Sequence, residues 1–219
     1  MDDMKVLVVG ASRGTGAAAV TALVRDGHEV TAFARTAATQ TENVHTVTGD
    51  VFDPDALAKA MVGQEAVVVV LGISDNPFGV RLFGRARTPL DVRSEGTRRV
   101  VDAMRATGIR RIVVQTTYGL GDTFGRLSLP LKLFFRLVLA PQLADSEAQE
   151  TVVRGSDLDW TIIRPVSLTD GSSDEEAPAH VDVHDRIEGL QVTRGQVGRV
   201  HADALRRDDW IGTTVSVSG

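Results

Sequence analysis

An apolar run that breaks into three closely spaced glycines constrains this chain more than any other feature. Lys5-Val6-Leu7-Val8-Val9-Gly10-Ala11-Ser12-Arg13-Gly14-Thr15-Gly16-Ala17-Ala18-Ala19-Val20 reads as a buried strand, a tight turn and the start of a helix. Glycine at 10 permits the turn, glycine at 14 allows an approaching group to reach the backbone, and glycine at 16 lets the helix pack on the strand. The helix start presents free N–H groups and the positive end of its dipole, a ready site for an anion such as a dinucleotide pyrophosphate. Gly10, Ser12, Arg13, Gly14, Thr15 and Gly16 are therefore candidate phosphate-binding residues. The spacing is G-x-x-x-G-x-G and not G-x-G-x-x-G, so the strand and helix around it carry the assignment. The alternative is a tight strand-to-helix turn that binds nothing.

The next element bears on which dinucleotide. After a helix through about Arg25 and a glycine stop at Gly27, His28-Glu29-Val30-Thr31-Ala32-Phe33-Ala34-Arg35 alternates as a second strand ending in a cation. Sites for NAD place a carboxylate at this strand end to bind the ribose hydroxyls, whereas an arginine pairs with a 2′-phosphate. Arg35, with Arg13 inside the glycine turn, points to NADP (NADPH). The competing reading makes both solvated surface arginines with Glu42 or Asp50 as a local partner.

Strand and helix patterns keep alternating. Val44 to Val47 leads into Gly49-Asp50-Val51; Asp53-Pro54 reads as an N-cap with proline at the first helical position, and that helix stops at Gly63. Ala66 to Gly72 is a central strand, Leu90 to Ala106 a long helix ended by Gly108, and 111–117 and 160–164 are the fifth and sixth strands. Right-handed crossovers assemble such a series into an α/β fold, a single Rossmann-like doubly wound parallel sheet over residues 1–219 with a small C-terminal substrate-side region. Ligands of such sheets lie beyond the strand C-termini, here Gly10, Arg35, Asp50, Gly72, Thr117 and Pro165.

The 219 residues carry no cysteine, which excludes disulfides, thiolate metal sites and cysteine catalysis. A net charge of −5 argues against a nucleic-acid partner. The acidic Met1-Asp2-Asp3-Met4 runs straight into the first strand without a secretory signal, so the expected location is the cytoplasm. The apolar stretch Leu127 to Leu139 is too short to span a bilayer and carries Lys132 and Arg136, so no membrane partner is expected and most of its leucines should pack in the core. His180 and His184 give no metal-ligand pattern, and the absence of a G-x-S-x-G elbow disfavours a hydrolase. Gly171 to Pro178 reads as a surface excursion.

Gly10-Ala11-Ser12-Arg13-Gly14-Thr15-Gly16, Arg35, Gly49-Asp50-Val51, Leu71-Gly72, Ser94-Glu95-Gly96-Thr97-Arg98, Thr116-Thr117 and the run Ser156 to Pro165 follow one another in an order that resembles a known family. The chain is similar to atypical short-chain dehydrogenases/reductases of the NAD(P)H-binding, NmrA-like group, with likeness to biliverdin IXβ reductase/flavin reductase. The resemblance implies Asp50 and Val51 beside the adenine and Leu71-Gly72 along a ribose. It puts Thr116 and Thr117 at the nicotinamide end, with backbone contacts from Pro165 and Val166 to the carboxamide.

The Tyr-x-x-x-Lys pair of many short-chain dehydrogenases is missing. Tyr118 is the sole tyrosine and position 122 is Asp; Asp145-Ser146-Glu147 stands where atypical members often carry a lysine, and Lys132 is a remote substitute. The histidine that flavin/biliverdin reductases carry after the proline of the sixth strand is replaced, since Pro165 is followed by Val166-Ser167. Tyr118 and Thr117 remain the candidate catalytic residues, as proton donor and polarising group. The expected function is an NADPH-dependent reductase passing hydride to a small or planar acceptor (ketone, quinone, flavin or tetrapyrrole), as monomer or homodimer. An NADP-binding sensor without turnover and a nucleotide-sugar epimerase/dehydratase are the alternatives.

Overall fold

The strands that read as continuous apolar runs form the middle of an eight-stranded sheet. In the structure, a computed structural model that describes residues 3–36, 43–72, 89–134, 137, 139–171 and 178–219, the sheet contains β1 (Lys5–Val9), β2 (Glu29–Ala34), β3 (Val44–Thr48), β4 (Ala66–Val69), β5 (Arg111–Gln115), β6 (Asp159–Pro165), β8 (His180–Asp182) and β10 (Thr213–Ser218). Their order is β3-β2-β1-β4-β5-β6-β10-β8, parallel throughout except for the antiparallel edge pair β10 and β8. The short strands β7 (Ser167–Thr169) and β9 (Gln191–Thr193) pair separately.

Period-two alternation sends neighbouring strand residues to opposite faces, and both faces are buried. Val6 and Val8 of β1 join one core layer, beneath α1 (Gly14–Arg25) and a C-terminal helix (Arg194–Arg206). Leu7 and Val9 join the other, beneath α2 (Pro54–Met61), α3 (Val92–Thr107) and a long helix (Ala140–Arg154). In chain order, α4 (Gly121–Phe124) and α5 (Leu129–Phe134) precede the long helix, which is thus α6, and the C-terminal helix is α7. Where α7 crosses α1, Gly198 is required by contact: a Cβ there would stand 2.6 Å from the Ala18 carbonyl carbon.

Local signals set the boundaries as expected for α2. The Asp53 carboxylate accepts the Asp55 and Ala56 N–H groups at 3.0 and 3.2 Å, and Pro54 follows. The fifth strand ends at Gln115, two residues earlier than expected, and the helix expected from Leu90 begins at Val92. After β6 the chain also returns to the main sheet, where β10 pairs in parallel with β6.

The apolar stretch corrects a second expectation. Leu127 is buried and Leu131 packs against the core, but Leu129, Leu133, Phe134 and Leu137 are exposed. A short helix lying on the surface has room to bury only one side. Lys132 stays outside as well, donating to the Gly125 carbonyl at 2.8 Å. Of the 171–178 excursion, 172–177 lie outside the described residues. None of the described helices is long and apolar enough to cross a membrane.

Candidate functional site

The sheet order reverses direction between β1 and β4, and a cavity of about 490 Å³ opens there beyond the strand C-termini. Its floor is the glycine turn. Gly10 has φ +91° and a Cβ there would run into the Val70 carbonyl; a Cβ at Gly16 would run into the Gly10 carbonyl oxygen. Gly14 differs. Its φ is +57°, and a Cβ would meet only the Arg194 side chain, at 3.6 Å. Gly10 and Gly16 thus close the turn, while Gly14 faces the open cleft.

At the start of α1 no side chain caps the free N–H groups and no carboxylate occupies the first turn. An uncapped helix start on a cavity floor, flanked by Ser12, Arg13 and Thr15 on the wall, suits a phosphate group. Arg35 and Thr36, at the end of β2, line the same cavity with Gly49, Asp50 and Val51. The Asp50 carboxylate also accepts the Phe52 N–H at 3.0 Å, so it shapes its own turn while forming part of the wall. Leu71 and Gly72 line the cavity beyond β4. These residues fit a dinucleotide laid across the switch point, with phosphates at the helix start and an adenosine toward β2.

A family model described as NAD(P)H-binding matches residues 10–208. The chain belongs to the NAD(P)H-binding family. Solved structures agree in fold. A short-chain dehydrogenase/reductase from Veillonella parvula DSM 2008 superposes with a TM-score of 0.79 at 19% identity, over 99% of this chain and 94% of that one. The wide-type enzyme from the same organism, in complex with NADP, gives 0.77 at 18% identity over 100% and 95%. ChuY, an anaerobilin reductase from Escherichia coli O157:H7, gives 0.72 at 20% identity over 98% and 96%. None of the curated proteins matches the sequence.

Within this NAD(P)H-binding fold the remaining expected residues lie off the cavity wall. Alternation accounts for Thr116: Gln115 takes the cavity side of β5, and Thr116 turns to the opposite layer, donating to Glu150 Oε1 at 2.9 Å. Thr117 Oγ1 donates to the Tyr118 carbonyl at 3.3 Å. The Pro165 carbonyl accepts the Tyr118 N–H at 2.8 Å, and the Val166 N–H goes to the Val217 carbonyl at 3.0 Å. The Tyr118 ring is buried and its hydroxyl donates to the Asp185 carbonyl at 3.3 Å. Burial raises the Tyr118 pKa further than Arg126 lowers it.

Asp185 sits at the centre of a polar cluster. It is the sole described non-glycine residue with positive φ, +59°. Its carboxylate accepts from Ser216 Oγ at 2.6 Å, and its carbonyl accepts from Arg126 and Tyr118. Close by, buried Arg164 forks onto Glu150 with bonds of 2.8 and 2.6 Å and reaches Asp122 at 2.8 Å. Burial alone would lower the Arg164 pKa, but Glu150 and Asp122 outweigh it and hold the group above the ordinary value. This cluster clamps the ends of β5 and β6 behind the cavity.

Among the residues of the cavity wall that the sequence reading does not single out are Arg93, Gln115, Leu168 and Arg194. Arg194 opens α7, beside Gly14, and is paired with Asp170. The only trace of it is the capping box Thr193-x-x-Gln196 that starts the helix. Gln115 Oε1 is 3.1 Å from Nε2 of the fully buried His201, whose pKa burial pushes down to about 3. His201 is therefore neutral, and with the Gln115 amide oxygen set against it, its Nε2 is the nitrogen placed to donate to Gln115 Oε1. Among the described residues no cluster of potential ligands suits a metal ion.

Proposed function

We propose that the protein is an NADPH-dependent reductase that delivers hydride to a small or planar acceptor such as a ketone, quinone, flavin or tetrapyrrole. The observation that supports NADPH over NADH is the pair Arg13 and Arg35 on the wall of the cavity whose floor is the glycine turn, with arginine at the β2 end where an NAD site carries a carboxylate. The bound cofactor supplies the hydride; the protein binds, orients and desolvates. In this reading the α1 N-terminus and Arg194 hold the pyrophosphate, Arg35 and Arg13 take the 2′-phosphate, and Gln115, beside His201, orients the nicotinamide end.

Thr117 and Tyr118 are the acid candidates by position, one and two residues past Thr116. For Tyr118 to act as an acid its hydroxyl must leave the Asp185 carbonyl, so we favour an acceptor that takes its proton from solvent, as a quinone or flavin does. The same geometry favours a second reading, a sensor that binds NADP without turnover. NADPH oxidation across quinone, flavin, biliverdin and aromatic carbonyl acceptors separates the two. Turnover with any of these, faster with NADPH than NADH, supports the reductase; tight NADPH binding with none supports the sensor.

A further inference from the structure

Arg93 places a positive charge in the cavity that no described anion neutralises by hydrogen bonding. It stands in the first turn of α3, on the cavity wall with Leu71, Gly72 and Gln115. The obvious counter-charge is otherwise engaged. Asp145 accepts the backbone N–H groups of Arg93 and Ser94, each at 3.0 Å, and the Ser94 hydroxyl, so it caps the start of α3. The guanidinium itself makes one described hydrogen bond, Nη1 to Ser146 Oγ at 3.1 Å. Nε is buried without a partner, and Nη2 lies 3.7 Å from where a Cβ of Gly72 would stand. Burial works against the charge, and Asp145 only partly restores it.

A planar fork of five donors held charged against a cavity suits a carboxylate, which it would grip through two parallel bonds. In the NADPH-reductase reading the anions of the cofactor have their own partners, the α1 start, Arg13, Arg35 and Arg194. We propose that Arg93 recognises a carboxylate on the hydride acceptor and so selects anionic acceptors over neutral ones. This rests on the NADPH-reductase reading. Arg93 acts on binding and orientation, and takes no proton.

Calorimetry on the full chain saturated with NADP⁺ tests it, with benzoate and benzamide as probes, in the wild type, Arg93→Met and Arg93→Lys, each checked by thermal melting. Met keeps the bulk and removes the charge; Lys keeps the charge and removes the fork. Benzoate should bind at least tenfold more tightly than benzamide to the wild type. That advantage should vanish in Arg93→Met and partly return in Arg93→Lys, with NADPH affinity within about threefold of wild type. Benzoate binding no better than benzamide, or an advantage that survives Arg93→Met, overturns the proposal. A tenfold loss of NADPH affinity in Arg93→Met also overturns it, by giving the charge to the cofactor. If wild type fails to bind NADPH at all, the failure lies in the functional reading beneath it.

Discussion

Gly14 and Gly16 are two residues apart, yet the structure predicts opposite consequences for an added methyl group. At Gly14 the backbone has φ +57°, and an alanine there meets nothing closer than Arg194, at 3.6 Å. The cost is the left-handed conformation, about 1–2 kcal/mol, which for a chain of this size lowers the melting temperature by roughly 2–8 °C. The methyl group then occupies the approach to the α1 N–H groups. At Gly16 the added Cβ stands 2.9 Å from the Gly10 carbonyl carbon and 3.3 Å from Ala11 Cα, both backbone atoms that cannot rotate away. Overpacking of that kind costs about 1–3 kcal/mol or more and forces the turn open.

Thermal melts with and without NADPH separate the two effects. At a hundredfold excess over Kd the cofactor stabilises the wild type by about 2.7 kcal/mol, or roughly 5–11 °C. Without NADPH, Gly14→Ala should melt only about 2–8 °C below wild type, from its left-handed backbone alone, and it should lose most of the cofactor-induced shift, with affinity down at least tenfold by calorimetry. Gly16→Ala should melt lower even without cofactor. A Gly14→Ala variant that keeps the full shift would refute the placement of the phosphates, and an unperturbed Gly16→Ala would refute the geometry of the turn.

Three further outcomes follow from the site. Tyr118→Phe should change the turnover of a quinone or flavin acceptor by less than about threefold; a loss of roughly 10²-fold in steady-state kinetics would restore the hydroxyl as a general acid. Glu150→Ala removes both forked bonds of buried Arg164 and leaves it only Asp122 at bonding distance, so it should cost about 1.5–3 kcal/mol in denaturant unfolding, whereas a change under about 1 kcal/mol would show the pair to be energetically idle. His201 is neutral in the fold down to about pH 3 but takes a proton near 6.5 once unfolded. The unfolded state thus binds the extra proton between those values, and this residue's contribution to stability falls as pH drops, by about 1.4 kcal/mol per unit. His201→Gln should flatten that acid slope in urea titrations; an identical slope would place the titration elsewhere.

The parts of the molecule legible in the sequence are those set by neighbours along the chain. β1, its turn and α1 follow from apolar run, glycines and helix former within twenty residues, and Asp53-Pro54 announces α2. Ten of the expected residues, among them Arg13, Arg35, Asp50 and Gly72, line one cavity because each ends or follows a parallel strand at the same edge. What the sequence hides depends on long-range placement. Arg194 reaches Gly14 only because α7 packs on α1, through a glycine at 198 whose contact no local pattern reveals. Thr116 was expected at the nicotinamide end but turns to Glu150, since a single step along β5 exchanges the faces. Apolarity was also a poor guide to burial at Leu129 and Leu133, where the helix has one covered side and one open one.

The preference for NADPH depends most on Arg35 and Arg13 meeting the 2′-phosphate of the cofactor. Calorimetric titration of the unmodified protein with NADPH and NADH, then of Arg35→Asp with both, measures this directly. NADPH should bind the wild type more tightly by about 1–3 kcal/mol, as charge-assisted bonds to a phosphate allow, and Arg35→Asp should abolish or reverse the preference. Equal affinities in the wild type, or a preference that survives Arg35→Asp unchanged, would contradict it.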